Sequence, residues 1–236
     1  MEDWNLKPAR DLGMPAGERI RSVRRERGTL PWLLHLILWT VVRAWLRVYH
    51  RLTIEGIDQL PKEGSFVLVA NHASHLDALV LSSLLPWHLR PDVFPIAAGD
   101  TFFKSRITAV MSALFVNALP MSRKGGVSHS LADLRDRLAG SRCVYIIFPE
   151  GTRSRDGKMG PFKSGLGMMV AGTPISVVPC RLWGTFEALP PARRFARARK
   201  IRVRVGKPVQ FDSICNDRQG WNQIAQTLQA AVAELE

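Results

Sequence analysis

Residues 66–77 read FVLVANHASHLD, in which five apolar residues precede a polar segment with a histidine and, five positions later, an aspartate. An unbroken apolar run of this length is typical of a strand buried inside a parallel sheet. Residues 145–157, YIIFPEGTRSRDG, place a glutamate, a glycine and an arginine after a second apolar run. Both stretches therefore predict a buried strand that presents polar side chains at its carboxyl end.

The rest of the chain alternates strand patterns with helix patterns. Strands are predicted at residues 52–57, 66–70, 93–98, 118–121, 143–148, 175–180 and 201–205, and helices at 78–85, 101–115, 128–138 and 221–235. This alternation predicts an α/β fold with a largely parallel central sheet flanked by helices. Because functional groups gather at the carboxyl ends of such strands, we expect the two polar segments at one edge of the sheet.

Residues 30–49, LPWLLHLILWTVVRAWLRVY, form the strongest hydrophobic run, but the uncharged part ends at Val42. A run of about a dozen residues suits an interfacial or buried helix better than a membrane span. His35, Trp39, Arg43 and Arg47 recur every four residues and trace one stripe of such a helix. We favour an amphipathic helix lying in the membrane plane, with a buried core helix and a true span as open alternatives.

The first 29 residues are rich in arginine and lack the apolar core of a signal peptide. We therefore divide the chain into residues 1–50, a basic leader with the membrane-interfacial helical segment, and residues 51–236, the α/β domain. Cys143, Cys180 and Cys215 show no metal-ligand spacing, which indicates reduced thiols, with the first two packed in strands.

The chain carries 33 Lys and Arg against 20 Asp and Glu, a formal net charge of +13. This excess favours anionic partners, which include nucleic acid, phosphorylated substrates and an anionic membrane face. Residues 193–204 are the best case for nucleic acid, but they lack an RNA-binding or helix-turn-helix signature, so we expect no nucleic-acid partner.

The histidine segment predicts a general base. Ser74 and Asp77 have the spacing of a capping box, which would leave His72 outside the helix and free to fold back onto the Asp77 carboxylate. No Ser or Cys has a nucleophile-elbow context, so His72 would activate a hydroxyl of the substrate itself. The competing interpretation is that Asp77 only caps the helix, and His75 is a less favoured alternative base.

The arginine segment predicts a phosphate site. Gly151 permits an unusual backbone angle, Arg153 offers a two-pronged donor, and Thr152 and Ser154 add hydroxyls. Glu150 would position the arginine or bind a substrate hydroxyl. Arg123 and Lys163 are further candidate cations; a plain Glu–Arg surface pair is the alternative.

Together these segments resemble the glycerophospholipid acyltransferase family, of the 1-acyl-glycerol-3-phosphate (lysophosphatidate) acyltransferase type. The resemblance covers residues 54–211 and depends on the HX4D motif NHxxxxD at 71–77, with Asn71 as a supporting residue, together with FPEGTRS at 148–154. Weaker family blocks are ALPMSR at 118–123, which keeps Arg123, SVVP at 176–179 and PFKSG at 161–165, which contains Lys163.

The resemblance implies acyl transfer from acyl-CoA or acyl-carrier protein to the free glycerol hydroxyl of a lysophospholipid, with 1-acyl-glycerol-3-phosphate favoured and phosphatidic acid as product. His72 and Asp77 would be catalytic, while Glu150, Gly151, Thr152, Arg153 and Arg123 would bind the acceptor, supported by Asn71, Ser154 and Lys163. It implies no metal and no bound cofactor. We expect a peripheral or monotopic protein at the cytoplasmic face of the inner or plasma membrane, held through residues 30–49.

Two alternatives remain open. The atypical stretch 117–122 allows a different acceptor, such as lysophosphatidylethanolamine or a lyso-aminolipid. The basic composition also allows a non-enzymatic peripheral membrane protein.

Overall fold

The computed structural model describes residues 11–15, 18, 22, 29–98, 117–121 and 127–235. Its elements, in chain order, are α1 (Thr29–Tyr49), β1 (Thr53–Glu55), β2 (Phe66–Ala70), α2 (Leu76–Leu84), β3 (Val93–Ala98), β4 (Leu119–Met121), α3 (Val127–Gly140), β5 (Val144–Ile147), α4 (Gly165–Val170), β6 (Ser176–Trp183), α5 (Thr185–Ala188), β7 (Arg202–Val205) and α6 (Arg218–Ala233). Short 3-10 helices occupy Ile57–Gln59 and Arg90–Asp92.

Within these residues the strands form one seven-stranded sheet in the order β1-β7-β6-β2-β5-β3-β4. All neighbours pair in parallel except β6 and β7, which are antiparallel. The predicted α/β fold with a largely parallel sheet is confirmed. The antiparallel pair lies toward one edge, which leaves β6, β2 and β5 as parallel neighbours in the centre.

The central strand β2 is buried on both faces because helices cover both sides of the sheet. Phe66, Leu68 and Ala70 belong to one apolar cluster, and the alternate residues Val67 and Val69 belong to the other. This division follows from the two-residue period of a strand. The first cluster takes in side chains from α1 and α2, and the second takes in side chains from α3, α4 and α6.

Helix α1 packs on the domain through one side. Trp39 and Leu46 are buried, and Trp39 Nε1 donates a hydrogen bond of 3.3 Å to the Ser82 carbonyl of α2. The Arg43 guanidinium lies 5.0 Å from the Trp39 ring. Part of the stripe predicted from His35 to Arg47 therefore faces the domain, because the Trp39 side chain contacts α2.

In the part of the chain that the structure describes, no helix combines the length and the apolar character needed to cross a membrane. The predicted helix at 101–115, Arg123 and most of the leader lie outside the described residues. The division between residues 50 and 51 stays a prediction. Cys143 and Cys180 are buried thiols, as expected for strand packing, whereas Cys215 is exposed.

Candidate active site

The histidine and arginine segments lie side by side because their strands are neighbours. β2 pairs in parallel with β5, with Val69 opposite Ile147, so both chains leave the sheet at the same edge. The segments are then joined directly, since the Ser154 N–H donates a 2.8 Å hydrogen bond to the His72 carbonyl.

His72 and Asp77 form the contact that their spacing predicts. His72 Nδ1 lies 2.9 Å from Asp77 Oδ2; the histidine side chain is 19% exposed and the aspartate side chain 0%. The same oxygen accepts 2.7 Å hydrogen bonds from the backbone N–H groups of Ala73 and Ser74. Since Oδ2 accepts from these donors, Nδ1 carries the proton that faces it, and His72 Nε2 keeps a free lone pair.

The local fold that makes this contact is close to the predicted capping box. Asp77 reaches back to the Ser74 N–H, as such a box requires. The Ser74 hydroxyl accepts from the Leu76 N–H at 3.1 Å, and helix α2 begins at Leu76, two residues before the predicted start. Asp77 therefore has two roles at once, because it caps the helix and holds the histidine.

Phe148 holds the other side of the imidazole. Its ring stacks on the His72 ring with centroids 4.1 Å apart and planes within 13°. Phe148 comes directly after β5, and nothing in the sequence marks it as a ring partner, since the contact depends on how β2 and β5 pair.

Glu150 joins the arginine segment to the histidine segment. Its Oε1 accepts a 2.7 Å hydrogen bond from the His72 N–H, and its Oε2 accepts a 2.9 Å hydrogen bond from the Gly160 N–H. The residue is buried, and burial raises the pKa of its carboxyl while the two backbone hydrogen bonds lower it. Each oxygen of Glu150 thus accepts from a backbone N–H, and the carboxylate positions the histidine loop. Its predicted contact with the arginine or with a substrate hydroxyl stays a prediction.

Asn71 also connects two elements of the sheet. Its Nδ2 donates to the Leu182 carbonyl at 3.0 Å, and its Oδ1 accepts from the Leu182 N–H at 2.9 Å. This pair of bonds ties the end of β2 to β6 immediately before His72.

Arg153 lies close to the histidine–aspartate pair. Desolvation lowers the pKa of the Arg153 guanidinium, and the negative charge of Asp77 opposes this with a smaller effect. Arg153 Nη1 is buried and has no hydrogen-bond partner among the described residues. A buried guanidinium N–H without a protein acceptor is suited to an anionic ligand.

Gly151 and Lys163 complete this loop. Gly151 has φ 71°, a conformation that side chains rarely adopt, and a Cβ built there would lie 2.9 Å from Lys163 Nζ. The Lys163 N–H also donates to the Pro149 carbonyl at 3.0 Å. The fold therefore brings this predicted supporting lysine to the arginine loop.

The remaining predicted residues have separate positions. Thr152 is exposed on the loop. The Ser154 hydroxyl donates to Asp156 Oδ1 at 2.8 Å, so it stabilises its own turn. Arg123 lies outside the described residues, and its proposed phosphate contact stays a prediction.

His75, the alternative base that the sequence left open, lies beside the His72–Asp77 pair. Desolvation lowers its pKa to about 4, with the charges of Arg153 and His72 also lowering it and Asp77 raising it. It precedes helix α2, and Asp77 Oδ2 faces His72. The geometry therefore favours His72 as the base.

Comparison with known proteins gives the family. The family model described as Acyltransferase matches residues 51–183. The chain is 29% identical over 195 residues to 1-acyl-sn-glycerol-3-phosphate acyltransferase LPAT1, chloroplastic, of Arabidopsis thaliana, a match that covers 75% of this chain and 51% of the relative. It is 25% identical over 167 residues to 1-acyl-sn-glycerol-3-phosphate acyltransferase alpha of Ovis aries, covering 71% of this chain and 57% of the relative.

The chain spans about half the length of the curated relatives it matches. Among solved structures, it resembles the crystal structure of the 1-acyl-sn-glycerophosphate (LPA) acyltransferase PlsC from Thermotoga maritima, with a TM-score of 0.63 and 24% identity. That likeness covers 87% of this chain and 80% of the other, and it concerns the fold. With more than half of its residues matched by the family model, the chain belongs to the Acyltransferase family.

Proposed function

We propose that this protein transfers a fatty acyl group from an acyl thioester to the free glycerol hydroxyl of a lysophospholipid. The observation that carries the proposal is the 2.9 Å contact between His72 Nδ1 and Asp77 Oδ2 on the same sheet edge as the arginine loop. The favoured acceptor is 1-acyl-glycerol-3-phosphate, the compound in the names of the relatives from Arabidopsis thaliana and Ovis aries.

The chemistry follows from the free lone pair on His72 Nε2. This nitrogen takes the proton of the acceptor hydroxyl as its oxygen attacks the thioester carbonyl. When the tetrahedral intermediate collapses, the carbon–sulfur bond breaks and the imidazolium returns the proton to the thiolate. Asp77 stabilises the imidazolium throughout, because its charge lies against Nδ1.

Arg153 would hold the phosphate of the acceptor. Its buried Nη1 lacks a protein acceptor within the described ranges, and Lys163 Nζ lies beside the same loop. A phosphate between these cations would satisfy the guanidinium and keep the glycerol hydroxyl near His72. The donor, whether acyl-CoA or acyl-carrier protein, needs no metal and no resident cofactor for this chemistry.

Helix α1 supports an in-plane membrane position in this proposal. With about 100° of rotation per residue, Ile37, Val41 and Val48 fall within an arc of about 40°. All three are exposed, whereas Leu46 on the opposite side is buried in the domain. A helix with apolar residues on both sides can pack on the protein and lie on lipid together. The cytoplasmic membrane face stays a prediction.

The first test is acyl transfer by the purified full chain. A panel of lysolipids, comprising lysophosphatidate, lysophosphatidylethanolamine and a lyso-aminolipid, is presented with acyl-CoA or acyl-carrier protein. We expect lysophosphatidate to be preferred, and His72→Ala to abolish product while the melting temperature stays near that of the parent. Substantial turnover by the His72→Ala variant would remove this histidine from the role of base.

The second test separates acceptor binding from chemistry. Arg153→Ala should mainly raise the acceptor KM, because a phosphate contact stabilises ground and transition states alike. A change confined to the donor KM would show that the phosphate assignment is wrong.

A further inference from the structure

A strongly basic loop joins α5 to β7. Residues 189–200, here called the basic loop, hold five cationic side chains and no acidic one. The cations are Arg193, Arg194, Arg197, Arg199 and Lys200, and all are exposed. Between them Phe195 is 85% exposed, the highest value among the large apolar side chains of the described residues.

The base of this loop is firmly held, so the exposure of Phe195 is a feature of the fold. The Arg197 N–H donates to the Ala188 carbonyl at 2.8 Å, which closes the loop. The Ser74 hydroxyl, from the histidine segment, donates to the Leu189 carbonyl at 2.7 Å. At the other end Gly184 has φ 81° and lies so close to the Lys200 carbonyl that a Cβ would collide with it.

The basic loop continues the exposed surface of α1. The Tyr49 hydroxyl donates to the Ala196 carbonyl at 3.4 Å. His50 is buried, and its Nδ1–H donates to the Arg199 carbonyl at 3.2 Å. Next to these contacts Val48 is 80% exposed. The apolar stripe of α1 thus ends beside the basic loop.

We propose that the basic loop is a second membrane contact, which docks on an anionic bilayer with Phe195 at the boundary between headgroups and acyl chains. Phe and other apolar side chains next to Lys and Arg are a usual means of holding a protein at that depth. A soluble anion such as the phosphates of CoA would account for the arginines, but it leaves the exposed Phe195 beside an apolar helix unexplained.

Docking of the basic loop would orient the active site relative to the bilayer. Because Ser74 joins the basic loop to the segment that carries His72, docking of the loop would set the histidine loop against the bilayer surface. This purpose rests on the proposed function, whereas membrane binding itself can be measured without any catalysis.

The experiment measures binding of the full chain to sedimented vesicles of pure phosphatidylcholine or of phosphatidylcholine with phosphatidylglycerol. Two loop variants are compared with the parent, Phe195→Ser and the double variant Arg193→Gln/Arg194→Gln. The charge-matched control is Lys207→Gln/Arg218→Gln, which alters two exposed cations outside the loop. All variants change exposed side chains, and their melting temperatures verify that they fold.

We expect the double loop variant to lose about 30-fold in affinity for the anionic vesicles, from a contribution of about 5-fold per cation at the surface. Phe195→Ser should lose about tenfold on the same vesicles, since it removes the aromatic ring that docking would bury among the lipids. The control should lose less than either loop variant, because its cations lie outside the proposed contact.

Loop variants that bind like the parent, or no better than the control pair, would overturn the inference, as would a parent chain that does not bind anionic vesicles. If vesicle binding persists and the KM for acyl-CoA rises instead, the cations belong to the donor site. Failure of acyl transfer with every lysolipid would contradict the proposed function and leave the vesicle result intact.

Discussion

Asp77→Asn separates the two roles of this carboxylate. In the structure Oδ2 accepts from His72 and from two backbone N–H groups, while Oδ1 is buried and meets no hydrogen-bond donor in the described ranges. An asparagine can therefore place its carbonyl oxygen at the Oδ2 position and its amide nitrogen at the Oδ1 position, where no donor would be opposed to it. The cap survives and the charge is lost.

The size of the effect follows from the distance. A unit charge 2.9 Å from the imidazolium contributes about 6 kcal/mol at an effective dielectric constant of 20. The amide dipole that remains retains part of this interaction, so we expect a loss of about 3–5 kcal/mol, or about 10²–10⁴-fold in kcat. The new buried amide should cost only about 1–2 kcal/mol of folding free energy.

The assay compares kcat and melting temperature for the parent, Asp77→Asn and Asp77→Ala. The alanine variant leaves the Ala73 and Ser74 N–H groups without an acceptor and should melt at a lower temperature than the asparagine variant. A matched control is Asp133→Asn, because Asp133 faces His129 at 3.5 Å on helix α3 in a similar pair. If Asp77→Asn keeps kcat within about threefold of the parent, Asp77 is only a helix cap and the mechanism is wrong.

Two further predictions concern neighbours of the pair. Glu150→Gln should lower kcat by about 10–100-fold with little change in acceptor KM. The reason is that the glutamine side chain cannot accept from both the His72 N–H and the Gly160 N–H, so the histidine loop shifts. A raised acceptor KM at normal kcat would instead show that Glu150 binds substrate. His75→Gln should flatten the fall in melting temperature between pH 6.5 and about 4, because the unfolded chain binds a proton there that the folded chain, with its lowered pKa, does not. Parallel melting curves for parent and variant across that range would contradict the assignment.

Sequence patterns accounted for most of the fold because they report local burial. The unbroken apolar run of β2 predicted a strand covered on both faces, and the structure buries all five of its residues. The spacing of Ile224, Leu228 and Val232 predicted the closing helix, and these residues are buried in one cluster. Element ends were less accurate. Helix α2 was predicted to begin at residue 78, but it begins at Leu76, whose N–H donates to the Ser74 hydroxyl.

The histidine–aspartate contact could also be expected from sequence, because a capping box is a local motif whose geometry depends on few residues. The backbone contacts of Glu150 could not be expected from sequence. Its contact with His72 joins residues 78 apart that the pairing of β2 with β5 brings together, and its contact with Gly160 closes the loop after β5. The stacking of Phe148 on His72 has the same origin.

Helix α1 shows the same division. Its sequence alone established an apolar helix with a four-residue stripe, but the side that faces the domain was decided by the packing of Trp39 against α2. The sequence determined which residues are buried or polar along each element, since that depends on neighbours within a turn or a strand. Only the tertiary structure decided which polar atoms meet, because those contacts join distant segments that the sheet order brings to one edge.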